Sequence, residues 1–183
     1  QEQMILLMGK TLKIPAVALR YQNVYGPGQS LSNPYTGILS IFSTRLLNGN
    51  DIDIYEDGQE SRDFIFIDDV VSATILALQK KEANNQIFNV GSGVATSVSE
   101  VAELLQSLFN SNVKIAVNGK YRFGDIRHNY ADLSKIENVL GFSPKFDFFS
   151  GITSFVNWVK TQEVMQDKYE MSIQELKNRG FIK

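Results

Sequence analysis

Short strand-forming runs alternate with helical patterns along almost the whole chain, and this interleaving restricts the fold more than any other feature. Residues 16–20, 51–55, 64–67, 87–90 and 113–117 read as strands rich in Val, Ile and Phe. Helical stretches lie among them at 4–13, 37–48 and 68–81, and another starts after Ser97. Parallel strands need a crossover, usually a helix, whereas antiparallel strands need only a turn. The alternation therefore predicts an α/β fold with parallel strand pairs.

Local signals set several boundaries. Ser97 followed by Glu100 is a capping-box pattern, and Val98, Val101, Leu104, Leu105 and Leu108 make the apolar face of the helix it starts. Asp68 and Asp69 stand where negative charge stabilises a helix N-terminus, so they read as capping residues. Pro15 breaks the first helix, and Gly26-Pro27-Gly28 opens a long loop through Pro34. Helices are expected over 133–140, closed by Gly141, and over 150–161. The polar tail from Gln162 reads as a further helix lying on the surface.

A chain of 183 residues is long enough for one ordinary domain, and 43% hydrophobic with 21% charged residues is the balance of a globular protein. The net charge of −2 argues against general nucleic-acid binding, so local arginines must carry any anion recognition. No apolar run approaches the ~18–20 residues that span a bilayer, and no membrane association is expected. The absence of cysteine excludes disulfides and thiolate metal sites and fits a cytoplasmic location. With a single histidine, no metal site is expected.

Three segments carry chemistry. Arg20-Tyr21-Gln22-Asn23-Val24-Tyr25-Gly26 lies where a buried strand runs into a loop, the position at which open α/β sheets bind ligands. Asn23 can serve a phosphate oxygen or a sugar hydroxyl, or it can simply form the turn. Arg62 offers a planar, permanent cation matched to phosphate; the alternative is a salt bridge to Asp57, Glu60 or Asp63. Arg122 and Asp125 flank Gly124, pairing a phosphate-binding cation with a carboxylate able to accept from ribose hydroxyls. Tyr55, at a strand end, can cover a nucleobase or pack in a core. His128 reads as a loop hydrogen-bonder. Gly91-Ser92-Gly93 is a weak phosphate-loop signal that reads better as a strand-to-helix turn near the site.

In order along the chain, Arg20 through Pro27, Asp57 through Val70 (with Gln59-Glu60-Ser61-Arg62-Asp63-Phe64 at its centre), Phe88 through Gly93, and Arg122 through Asp132 resemble the C-terminal half of the extended short-chain dehydrogenase/reductase family. The resemblance is to its nucleotide-sugar epimerase/dehydratase group and extends to about Trp158. Gln22 departs from the aromatic common at that position. The fold implied is the C-terminal part of a Rossmann-type NAD-dependent enzyme. Residues 1–161 would supply late sheet strands and the smaller substrate-binding lobe, and 162–183 a helical tail.

The resemblance also implies site roles. Asn23, Arg62 and Arg122 would contact a diphosphate, Asp125 the ribose and Tyr55 the base. Tyr21 would approach the nicotinamide end of NAD, the implied cofactor. The partner molecule is a nucleoside-diphosphate sugar, and the helix at 4–13 would help build a homodimer. No catalytic residue is expected within the chain. No Gly-x-x-Gly-x-x-Gly occurs, and none of the 7 tyrosines is followed four residues later by lysine. Gln1-Glu2-Gln3 looks like the stretch just after a catalytic lysine, so the chain is expected to be the substrate-binding half of a larger enzyme. The loop 29–37 looks closest to sugar 4-epimerases; a 4,6-dehydratase, a 4-reductase or a non-catalytic binding module are the alternatives.

Overall fold

The interleaved pattern produces parallel strand pairs bridged by helices. The computed structural model describes residues 1–32, 37–164 and 166–182. Strand β1 (Val17–Tyr21) pairs in parallel with β6 (Gln86–Val90), β2 (Asn23–Tyr25) with β5 (Phe64–Phe66), and β3 (Ile52–Ile54) with β8 (Ile115–Val117). A small mixed sheet places β4 (Ser61–Arg62) between β7 (Thr96–Ser97), antiparallel to it, and β9 (His128–Asn129), parallel to it. The fold is α/β, as the alternation predicts.

The chain changes partners at Gln22. The Gln22 N–H donates to the Val90 carbonyl, and the next N–H, that of Asn23, donates to the Asp63 carbonyl, both at 2.9 Å. One continuous segment thereby belongs first to the β1–β6 pair and then to the β2–β5 pair. Such a switch leaves room at the carboxyl ends of the strands, where α/β proteins hold ligands.

Strand β5 divides the core. Its successive side chains point to opposite faces. Phe64 and Phe66 enter one apolar cluster with helices α2 (Ile38–Leu47), α4 (Val98–Phe109) and α6 (Phe148–Val159). Ile65 enters a second, with α3 (Ile67–Gln79), β6 and α5 (Ser134–Leu140). In the first cluster Tyr25 meets Phe64, Phe66, Phe148 and Phe155 edge-on at 5.6–6.4 Å between centroids. Each such contact contributes roughly 0.5–1.5 kcal/mol beyond simple burial. That burial pushes ionisation of the Tyr25 hydroxyl well above its ordinary range.

Most element boundaries fall within a few residues of the sequence expectation, and the capping box of α4 is complete. Ser97 Oγ accepts from the Glu100 N–H, and the Glu100 carboxylate accepts from Ser97, which holds the Glu100 pKa below its usual value. The capping role expected of the Asp68-Asp69 pair needs correction. Phe66 is the N-cap of α3, and Asp69 is buried, accepting hydrogen bonds from the backbone N–H of Lys145 and Phe146 at 2.9 and 3.1 Å. It ties the approach to α6 onto the start of α3.

The tail also differs in detail. Its helix, α7 (Tyr169–Asn178), starts later than expected and is not purely superficial, since Ser172, Ile173 and Ile182 are buried. At the other end, α1 (Glu2–Leu12) is tied to β1 by a two-pronged contact of Arg20 with Glu2 at 2.6 and 2.8 Å. It leaves Met4, Ile5, Leu7, Met8 and Leu12 exposed.

Candidate functional site

Strand β2, helix α2, strand β3 and the turn after it, β4 and the loop before β9 surround one cleft of about 240 Å³, partly open to solvent. Asn23, Tyr55, Arg62, Arg122 and Asp125 all line it. Residues spread over about a hundred positions of sequence are thus brought to one place.

Strand alternation aims the central segment. Glu60 and Arg62 face the cleft. Ser61 and Asp63 face away from it: Ser61 Oγ lies 2.9 Å from His128 Nδ1, and Asp63 binds the turn at 91–93. His128 is therefore a hydrogen-bonding partner within the small sheet. The Asp63 carboxylate is fully buried and accepts from the Ser92 N–H and Oγ, the Gly93 N–H and the Ala131 N–H at 2.7–3.1 Å. A side chain at Gly91 would overlap that carboxylate and the Ala131 methyl group, so only glycine fits. The glycine turn that suggests a phosphate loop already holds an internal anion.

Of the two readings of Arg62 that the sequence leaves open, the salt bridge to Asp57, Glu60 or Asp63 is not formed. Among the described residues neither Arg62 nor Arg122 makes an ion pair. Arg62 Nη1 donates to the Ser61 and Arg127 carbonyls at 2.9 and 3.1 Å. None of the carboxylates weighed as its partners makes an ion pair with it. Asp57 pairs with Arg127, which also grips Glu56, both at 2.6 Å. The Arg127 guanidinium holds the Asp57 carboxyl below the usual carboxylate range. Glu60 is only 8% exposed, and among the described residues neither of its carboxylate oxygens has a hydrogen-bond partner. Burial, and then the charges of Glu56 and Asp57, push the Glu60 carboxyl above its ordinary value.

Arg122 and Asp125 stand at the two ends of a tight turn, with the Asp125 N–H donating to the Arg122 carbonyl at 3.2 Å. Gly124 takes a positive φ of 86° there, a conformation open to glycine. Arg122 forms an antiparallel bridge with Ile182, and the Phe123 N–H donates to the Phe181 carbonyl at 2.9 Å. Gln22, the departure from the common aromatic, accepts from Asn129 Nδ2 at 3.0 Å.

Tyr21 stands apart from the cleft. It ends β1, is 46% exposed, and its hydroxyl lies 2.9 Å from Thr74 Oγ1. Of the loop at 29–37, residues 33–36 lie outside the described residues. Tyr169, Glu60 and Asp53 also line the cleft and were not anticipated from the sequence. For Tyr169 the only signal was an aromatic residue in a polar tail. Among the described residues no group of three or more His, Asp or Glu can hold a metal, and no helix is long and apolar enough to cross a membrane.

Comparison with known proteins shows the family. Residues 1–91 match the model of the NAD dependent epimerase/dehydratase family. The chain is 39% identical over 159 residues to a dTDP-L-rhamnose 4-epimerase of Burkholderia thailandensis, covering 87% of this chain and 44% of the relative. It is 30% identical over 151 residues to a dTDP-glucose 4,6-dehydratase of Actinoplanes, covering 82% and 46%. The structure of a UDP-glucose 4-epimerase from Thermotoga maritima with UDP-glucose matches with a TM-score of 0.79 at 32% identity, over 87% of this chain and 50% of that one. The chain spans about half the length of the relatives it matches. It belongs to the NAD dependent epimerase/dehydratase family, within the extended short-chain dehydrogenases/reductases, and its fold is part of their Rossmann-type architecture.

Proposed function

We propose that this member of the NAD-dependent epimerase/dehydratase family supplies the nucleoside-diphosphate-sugar site of a sugar-nucleotide 4-epimerase. The observation that carries the reading is the pair Arg62 and Arg122. Both line one cleft, and among the described residues neither makes an ion pair with a carboxylate. Two unpaired guanidinium groups on a protein of net charge −2 are suited to a diphosphate, which each can meet with a planar fork. Asn23 adds a neutral donor, Asp125 accepts from the ribose hydroxyls, and Tyr55 lies beside the base.

NAD, when bound, supplies the acceptor and donor of a hydride at the sugar carbon. The fit of this chain to NAD is partial. The exposed ring of Tyr21, at the carboxyl end of β1, can meet one edge of the dinucleotide. No glycine-rich phosphate loop occurs in the 183 residues. The work of this chain is therefore orientation of the sugar nucleotide and neutralisation of its diphosphate. Without a Tyr-x-x-x-Lys pair, the chain by itself is expected to turn over no sugar nucleotide. The reading places the protein in the cytoplasm, where sugar nucleotides are made, and makes the exposed face of α1 its contact with a second copy.

A 4,6-dehydratase is the second reading, favoured by the similarity to the Actinoplanes enzyme. Titration of dTDP and UDP into the chain by calorimetry tests the shared core of both. Binding should be measurable and should weaken about ten- to a hundredfold in Arg62→Ala, at roughly 1.5–3 kcal/mol for a hydrogen bond to a charged group. Unchanged affinity in a folded variant would refute the role of Arg62.

A further inference from the structure

One wall of the cleft comes from the C-terminal segment. Tyr169, the first residue of α7, lines it with Tyr55, and the two hydroxyls lie 3.4 Å apart. The Tyr169 ring is fixed from behind. The buried Arg45 guanidinium stacks on it, with its carbon 4.3 Å from the ring centroid, and Arg45 Nη1 also reaches Asp167 at 3.3 Å and Glu170 at 3.2 Å. Asp167 in turn accepts from the Tyr169 N–H at 2.9 Å. An aromatic ring held this firmly, in a cleft that also contains two arginines without an ion pair among the described residues, is a preformed surface for a planar ligand group.

The far end of the segment reaches the diphosphate side. Ile182 bridges Arg122, and the Phe181 carbonyl accepts from the Phe123 N–H. One stretch of chain, from Asp167 to Ile182, therefore touches the cleft at its aromatic end and at one of its two arginines. The aromatic end offers two ring surfaces and two hydroxyls that can each donate and accept. Those are the needs of a nucleobase, which presents a flat face and an edge of mixed donors and acceptors.

We propose that Tyr169 contacts the nucleobase of the bound nucleoside diphosphate, so that the C-terminal segment completes the nucleotide site. This rests on the nucleotide reading above. Ligand bound at Tyr169 and Arg122 would clamp both ends of the segment, and its backbone would become harder to open.

Calorimetry with dTDP and with inorganic pyrophosphate, on wild type, Tyr169→Ala and Tyr169→Phe, tests the proposal. Loss of stacking on one base is expected to weaken dTDP about tenfold in Tyr169→Ala, with pyrophosphate affinity unchanged. Tyr169→Phe keeps the ring and should keep most of the dTDP affinity. An unchanged dTDP affinity in Tyr169→Ala, or an equal loss for dTDP and pyrophosphate, overturns it. Hydrogen exchange on the wild-type chain gives a readout that needs no variant. Residues 167–182 should be protected more by dTDP than by pyrophosphate, and equal protection overturns the base contact. A wild-type chain that binds neither probe refutes the nucleotide reading itself, an outcome distinct from the loss of Tyr169 alone.

Discussion

Asp63 Oδ1 accepts two hydrogen bonds from a single residue, the Ser92 N–H and the Ser92 Oγ, each at 2.7 Å. With the Gly93 and Ala131 N–H groups on its other oxygen, this carboxylate joins β5 to the turn after β6 and to the segment before α5. The turn at 91–93 is an anion-binding concavity whose anion is a side chain of the same protein. That turn is therefore already occupied, and the phosphates of the proposed ligand would have to meet side-chain cations instead.

Asp63→Asn should be strongly destabilising. All four partners of Asp63 are donors, and an amide would turn its own donors toward at least one of them. Leaving buried groups unsatisfied is expected to cost about 3 kcal/mol. Chemical denaturation of the two proteins measures it, and a change below about 1 kcal/mol would show that the turn finds another anion or water.

Glu60 gives a pH dependence with a definite sign. Its folded-state carboxyl is raised by burial and by the neighbouring Glu56 and Asp57 charges. The folded state thus holds this proton more tightly than the unfolded state does. Stability from this group is present below the ordinary glutamate value and is lost as pH rises through the raised one. Glu60→Gln should remove that loss, so the variant should gain on wild type in melting temperature as pH increases from 4 to 7. Parallel melting curves across the range would contradict it.

The exposed face of α1 should drive self-association. Met4, Met8 and Leu12 stand four residues apart on one side of the helix, with Ile5 and Leu7 also uncovered. Such a patch is more apolar than a solitary surface usually shows. Sedimentation velocity should report dimers or larger species at tens of micromolar, reduced by a Met8→Lys, Leu12→Lys variant. Monomers at all concentrations would count against the face as an interface.

What the sequence made legible was mostly local. The Ser97–Glu100 box is written within four residues, and parallel pairing follows from the alternation of strands and helices. The two arginines were legible as cations, but their freedom was not. That depends on Asp57 choosing Arg127, 70 residues away, and on Asp63 choosing the turn at 91–93. Asp69 looked like a cap because the backbone it serves, Lys145 and Phe146, is 76 and 77 residues distant. Tyr169 was hidden by its polar neighbours, although Asp167 and Glu170 are part of what anchors it through Arg45.

The arginine pair yields the sharpest expectation, because the two groups should act on one ligand charge. Arg62 is fixed by the Ser61 and Arg127 carbonyls, whereas Arg122 is carried by a turn and by its bridge to Ile182. If both meet the same diphosphate, losing either leaves the ligand shifted toward the other, and the double variant should lose less than the sum of the single losses. Arg62→Ala and Arg122→Ala should each weaken pyrophosphate and dTDP alike by about ten- to a hundredfold. Arg→Lys at either position should recover only part, since an ammonium keeps the charge without the fork. Asp125→Ala should weaken dTDP less and leave pyrophosphate unchanged, because it removes an acceptor for ribose and no cation. The competing account makes both arginines structural, held by backbone carbonyls for the sake of the small sheet. It predicts lower melting temperatures in the alanine variants with ligand affinity intact. Calorimetry on folded single and double variants separates the two, and strictly additive losses would mean that the arginines serve separate ligands or separate roles.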